Sequence, residues 1–171
     1  MNEALAISVR IASLADLDAV TALVEVSYSQ LLAASYDRDL LGRALPHLTR
    51  ANRTLLASRT YYVAEREPGD LVGCGGWTTA SPVSGEIIGG EAHIRLFATH
   101  PVWVRRGVGA ALLARCIRDA QAHGVRKLNC FSTLNAEGFY RAYGFDSVRP
   151  IEVAMGPDLT LPGVLMTRAL A

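Results

Sequence analysis

The sequence predicts an α+β fold organised around one central strand–helix–strand unit. Short runs such as 7–11 and 91–99 alternate with the period of a strand, whereas 14–32 and the stretch opened by VRRGVGAALL space their apolar residues as a helix does. A Gly-, Ser- and Pro-rich segment, SPVSGEIIGG, separates the early strands from the central unit. With 171 residues, 50% of them hydrophobic, the chain has the length and composition of one domain, 1–171, with a sizeable core.

Residues 7–11 form the first predicted strand. The helix over 14–32 carries Leu17, Val20, Leu23, Val24 and Leu31 at helical spacing, and Ser13 with Asp16 three residues on resembles a capping box. A second helical stretch covers 37–56, where Pro46 predicts a split or kink because it lacks an N–H. TYYVAERE and LVGCGGWTT read as two strands joined at Pro68, Gly69 and Asp70, a hairpin signal. After the loop 81–90 comes the strand EAHIRLFAT, then a helix with Val108, Leu112, Leu113, Cys116, Ile117 and Ala120 as its stripe and Gly124 as its C-terminal cap. KLNCFSTL is a further strand and 136–143 a short helix, and two strands flank a turn region at 157–162.

Composition excludes several functions. Seventeen basic and sixteen acidic residues leave a net charge of +1, which provides no electrostatic footprint for nucleic acid or an anionic membrane and disfavours a polycationic substrate. MNEALAISVR lacks the layout of a signal peptide and no apolar run reaches the length of a membrane span, so a cytoplasmic protein is expected. Cys74, Cys116 and Cys130 show no metal-ligand spacing, which predicts reduced thiols and no metal.

Two segments carry the chemistry. Strict alternation in EAHIRLFAT sets Ala92, Ile94, Leu96 and Ala98 on one face, and Glu91, His93, Arg95, Phe97 and Thr99 on the other. An acid, an imidazole and a guanidinium in a row suit the wall of a polar cleft, although a solvated strand face reads the same way. Gly107 and Gly109 stand where the following helix begins. Unpaired N–H groups and the positive end of the macrodipole make such a start an anion site, most often for phosphate; a tight strand-to-helix turn is the alternative. There is no GxxxxGK[ST], and Leu112 stands where a dinucleotide fingerprint needs a third Gly or Ala.

The succession of strand, THPVWVRRGVGAALL, helix, strand and NAEGFYRAYGF resembles the GNAT superfamily of N-acetyltransferases over essentially the whole chain. This resemblance implies a mixed, mostly antiparallel central sheet with helices on both faces. Gly107 and Gly109 match the glycine positions of the family's phosphate loop; Val104 stands where Gln or Arg is usual, a departure that a loop acting through backbone N–H groups tolerates. The resemblance implies that Arg105, Arg106, Gly107, Val108, Gly109 and Ala110 cradle the pyrophosphate of coenzyme A. It further implies that Phe97, Ala98 and Thr99 offer backbone groups to the pantetheine arm. Asn135 would contact that arm, and Tyr140 matches the tyrosine placed near the cofactor sulfur; Tyr143 is assigned to packing.

The implied reaction moves an acetyl group from acetyl-CoA directly to a primary amine. An alkylamine of pKa ~10 must lose a proton, for which Glu91, His93 or a water chain would serve as base. A backbone N–H near Thr99 would stabilise the oxyanion, and Tyr140 would protonate the thiolate, whose conjugate acid has a pKa of ~8.5, in a nearly even transfer. Relatives shape the acceptor side with the first helices and the loop after the hairpin, here 14–56 and 81–90. Tyr28, Tyr36, Tyr61 and Trp77 are candidates for an aromatic wall or for packing. The acceptor would be a small-molecule or peptide amine, and many relatives dimerise through their C-terminal strands. A non-catalytic acyl-CoA sensor and an unrelated nucleotide-binding protein remain the rival readings.

Overall fold

Strand β1 (Ser8–Ile11) enters a seven-stranded sheet at its edge, and the remaining strands are β2 (Tyr61–Glu65), β3 (Leu71–Thr78), β4 (Glu91–Thr99), β5 (Lys127–Thr133), β6 (Asp146–Gly156) and β7 (Leu159–Ala169). The computed structural model describes residues 6–171; residues 1–5, half of the run considered for a leader peptide, lie outside the described residues. Strand order is β1-β2-β3-β4-β5-β7-β6, and among the described residues β4 with β5 is the single parallel pair. A parallel pair needs a crossover, which the helix α4 (Val108–Ala122) supplies.

The other helices are α1 (Leu17–Leu31), α2 (Arg38–Leu48), α3 (Arg53–Leu56) and α5 (Glu137–Ala142). Helices cover both faces because β2 and its neighbours bury both sets of alternating side chains. Tyr62 and Ala64 pack with Val108, Leu112, Leu113 and Cys116 of α4. Tyr61 and Val63 pack instead with Val20, Leu23 and Val24 of α1 and with Leu55 and Leu56 of α3. The architecture is therefore the mixed, mostly antiparallel sheet with helices on both faces. Among the described residues no helix is long and apolar enough to cross a membrane. The thiols of Cys74, Cys116 and Cys130 are free and buried, and burial raises the pKa of each, that of Cys130 to about 12.

Four local expectations are corrected. The helix expected from residue 14 starts at Leu17, after a 3₁₀ turn (Leu14–Asp16), whereas the expected capping box is present, with the Ser13 N–H donating to Asp16 Oδ2 at 2.8 Å. Pro46 lies inside α2 rather than splitting the stretch: it removes the bond to the carbonyl of Gly42, which is exposed and can be hydrated. The break comes at 49–52, where Thr49 Oγ1 donates to the Leu45 carbonyl at 2.8 Å and Asn52 Oδ1 caps α3 at Leu55 N, 2.6 Å away. Pro162 belongs to β7, not to the turn. Pairing with β5 ends at Thr133 opposite Gly163, so no ladder bond needs its missing N–H, and its carbonyl accepts from Tyr36 Oη at 2.7 Å.

The fourth correction shapes the site. Strict alternation along β4 fails at a bulge, where the register against β3 shifts between Cys74 and Gly76 and Leu96 takes φ +44°. Ala92 and Ile94 consequently face α4, whereas Ala98 joins the cluster under α1.

Candidate active site

The bulge ends the partnership of β4 and β5. These strands pair at Glu91↔Lys127, Ala92↔Leu128 and His93↔Asn129 and no further, although both continue. A left-handed Leu costs roughly 1–2 kcal/mol, and the fold offsets it by satisfying the displaced carbonyls. Tyr61 Oη donates to the Leu96 carbonyl at 2.7 Å and Tyr28 Oη to that of Phe97 at 2.8 Å. Between the diverging strands lies a wedge that opens into two cavities. Tyr28, Ile94, Leu96, Phe131, Ser132 and Thr133 line both, so the two meet through the sheet.

The first cavity, about 410 Å³, runs from the start of α4 to α5. Phe97, Ala98, Thr99, Arg105, Gly107, Val108, Gly109, Ala110, Asn135 and Tyr140 all contribute to its wall. Gly107 is the N-cap of α4 at φ +86°, and the first intrahelical bond runs from Ala111 N to Gly107 O, leaving the N–H groups of Val108, Gly109 and Ala110 without helical partners. A Cβ on Gly107 would meet nothing within 4 Å, so the turn rather than crowding asks for glycine; a Cβ on Gly109 would stand 3.1 Å from the Phe139 ring. Among the described residues no carboxylate stands in this lining. Unpaired donors, the positive end of a helix and a wall free of acids fit a phosphate-bearing ligand.

Arg106 is absent from the lining; its guanidinium lies 5.0 Å from the centroid of the Trp103 ring, and that of Arg66 lies 4.4 Å from the same centroid. Tyr140 is buried edge-on against Phe97, Phe139 and Phe145, with ring centroids 6.2, 5.1 and 5.4 Å away. Burial raises its pKa well above 10, and the neighbouring Cys130 thiol acts the same way, so the hydroxyl is neutral at physiological pH. Proton transfer from it to a thiolate is then uphill, not nearly even, because the tyrosinate would be buried among aromatic rings. Tyr143, assigned to packing, is 40% exposed and lines the cavity.

Glu91 and His93 stand at the closed end of the wedge and line neither cavity. Asn129 Nδ2 donates to Glu91 Oε2 at 3.0 Å and, with the Lys127 ammonium 3.4 Å from Oε1, holds this carboxyl below the usual range. His93 is buried, stacked on Phe131 with ring centroids 6.2 Å apart, and its Nδ1 has no hydrogen-bond partner among the described residues. Burial lowers its pKa below 6.5, Arg95 adds to the effect and Glu91 opposes it.

The second cavity, about 540 Å³, is lined by α2, β4, β5 and the β6–β7 hairpin. Tyr28 and Tyr36 line it, as do Arg95, His47, Pro82 and Val83. Tyr61 and Trp77 are instead interior: Tyr61 holds the bulge, and Trp77 Nε1 donates to Tyr62 Oη at 3.2 Å. Of the polar row read along β4, Arg95 alone reaches a cavity as a charged group. His47, Ser132 and Thr133 carried no sequence signal, because only the folded hairpin and the splayed β5 bring them to the wedge.

Three comparisons bear on this arrangement. The model of the family described as acetyltransferase (GNAT) domain matches residues 57–147, which span β2 to the start of β6 and include the first cavity's phosphate-type loop and Tyr140. No curated protein sequence matches the chain. Among solved structures, a GCN5-related N-acetyltransferase from Rhodopseudomonas palustris superposes with a TM-score of 0.75 at 22% identity, covering 98% of this chain and 97% of that one. The PaiA N-acetyltransferase of Thermoplasma acidophilum, solved with coenzyme A, gives 0.71 at 15% identity over 96% and 99% of the two chains. The ribosomal-protein-S18-alanine N-acetyltransferase of Escherichia coli gives 0.63 at 16% over 97% and 95%.

Proposed function

The chain belongs to the GNAT acetyltransferase family, whose members carry out acetyl-CoA-dependent acyl transfer, and on that premise we propose that it acetylates a primary amine held in the second cavity. The observation that carries this reading is the wedge between β4 and β5, whose walls are shared by the cavity at the phosphate-type helix start and by a second cavity that no acid among the described residues lines. Val108, Gly109 and Ala110 would hold the pyrophosphate through their backbone N–H groups, with Arg105 adding charge from the rim and Arg106 acting only at longer range. Phe97, Ala98 and Thr99 would present backbone groups to the pantetheine amides, Asn135 would add a contact at the start of α5, and the Thr99 N–H would face the developing oxyanion.

The co-substrate supplies the acetyl group as a thioester: the amine nitrogen bonds to the carbonyl carbon, the C–S bond breaks, and the sulfur takes a proton. Tyr140, kept neutral by burial, would donate a hydrogen bond to that sulfur; the amine gives its proton to water, and as Tyr140 passes its proton to the sulfur it takes one back from that water, so that no tyrosinate accumulates. Of the three candidate bases, water in the acceptor cavity fits best, because Glu91 and His93 open into neither cavity and Asn129 and Lys127 weaken Glu91 as a base. Release of free thiol from acetyl-CoA on addition of primary amines tests the reading. An acyl-CoA sensor would bind the thioester and release no thiol with any amine. Several of the solved relatives are named as N-acetyltransferases, which agrees with an amine acceptor.

A further inference from the structure

We propose that the acceptor is a small amino acid-like molecule whose carboxylate is held by Arg95. This rests on the acyl-transfer reading above and names the acceptor's class. Arg95 is half-buried on β4 and lines the second cavity, yet forms no ion pair with any described residue. Its one side-chain hydrogen bond runs from Nη1 to Thr78 Oγ1 at 3.1 Å. That contact uses Nη1 and leaves Nε and Nη2, the paired donors of one edge, without a partner among the described residues. Two parallel N–H donors match the two oxygens of a carboxylate.

The rest of the wall agrees. Among the described residues no Asp or Glu lines this cavity, and those that share its wall with Arg95 are mostly apolar, among them Val83, Leu96, Val153 and Leu161. A cation desolvated by such a wall attracts an anion more strongly than one in open water does. His47 lines the same cavity. Position agrees: Arg95 shares the wall of the second cavity with Ile94, Leu96, Phe131, Ser132 and Thr133, which also line the first, so one cavity holds both the guanidinium and the wedge where the amine must meet the acetyl group. A cavity of about 540 Å³ has room for an amino acid.

The test compares acceptors in pairs by thiol release from acetyl-CoA: each proteinogenic α-amino acid and its amide, and β-alanine against 2-aminoethylphosphonate. The wild-type protein is expected to turn over at least one amino acid with kcat/KM about tenfold to a hundredfold above that of its amide, and β-alanine no worse than the phosphonate. In Arg95→Gln the preference for acid over amide should vanish through KM, and Arg95→Lys should restore part of it, while stabilisation by acetyl-CoA alone stays at the wild-type level as the check that both variants fold. Amides used as well as acids, phosphonate used in place of carboxylate, or an unchanged preference in Arg95→Gln would each overturn the proposal. So would a protein that binds acetyl-CoA and turns over no amino acid. Failure to bind acetyl-CoA at all would overturn the acyl-transfer reading beneath it as well.

Discussion

His93 faces Asn129 across the last paired step between β4 and β5, and it does so with Nδ1 buried and without a hydrogen-bond partner among the described residues. Its folded pKa lies below the unfolded value of 6.5, chiefly through burial. As pH falls through 6.5 the unfolded chain takes up this proton first, so stability is lost from there down to the folded pKa. Denaturant unfolding at pH 7.5 and 5.5 should show a smaller difference in His93→Phe than in the wild type, with the variant no less stable at the lower pH. The same variant should keep the pH profile of kcat, since His93 reaches neither cavity; a lost limb of that profile would restore it as the base.

Tyr61→Phe deletes the 2.7 Å bond to the Leu96 carbonyl and leaves a weak thiol contact from Cys74 at 3.9 Å. Leaving such a buried acceptor poorly satisfied costs about 1–3 kcal/mol. A fall in Tm of several degrees is expected, together with weaker acetyl-CoA binding as the bulge relaxes. An unchanged Tm would show that the bulge does not depend on this hydroxyl.

Gly73 and Gly107 should fail in different ways. A Cβ at Gly73 would stand 2.4 Å from Val108 Cγ1 and 3.0 Å from Leu112 Cδ1, so Gly73→Ala should cost about 1–3 kcal/mol and push α4 away from the sheet. At Gly107 there is room for a side chain but the backbone is left-handed. Gly107→Asn should therefore bind acetyl-CoA better than Gly107→Val, because Asn tolerates that conformation and a β-branched residue does not. Equal losses in the two variants would point to side-chain obstruction of the ligand instead.

Tyr140→Phe keeps the aromatic packing against Phe97, Phe139 and Phe145 and removes only the hydroxyl. A drop in kcat of about 100-fold with little change in KM for acetyl-CoA is expected from steady-state kinetics. A wild-type kcat would take the proton-donor role from this residue.

Most of the architecture was legible because periodicity reports which side of an element is buried. The glycine-led helix, the hairpin at Gly69 and the strand before the loop all follow from residues adjacent in sequence. The bulge at Leu96 was not legible: alternation along EAHIRLFAT is unbroken on paper, and only the Tyr61 and Tyr28 hydroxyls, which come from other elements, make the left-handed Leu tolerable. That one residue decides which polar side chains reach the wedge. Arg95 comes to line a cavity while Glu91 and His93 stay in the paired end of the sheet. Pro162 misled for a similar reason, since whether a strand can hold a proline depends on where its neighbour ends.

Thermal unfolding with acetyl-CoA, against NAD and ATP as controls, addresses the central assignment most directly, because every proposed role depends on coenzyme A occupying the cavity at the start of α4. At about a hundred times its Kd a ligand adds roughly 2.7 kcal/mol, a rise in Tm of about 5–10 °C for a chain of this size. The expected result is that rise with acetyl-CoA and none with NAD or ATP. No rise with acetyl-CoA, or an equal rise with all three, would contradict the assignment of residues 105–110 as a coenzyme A site.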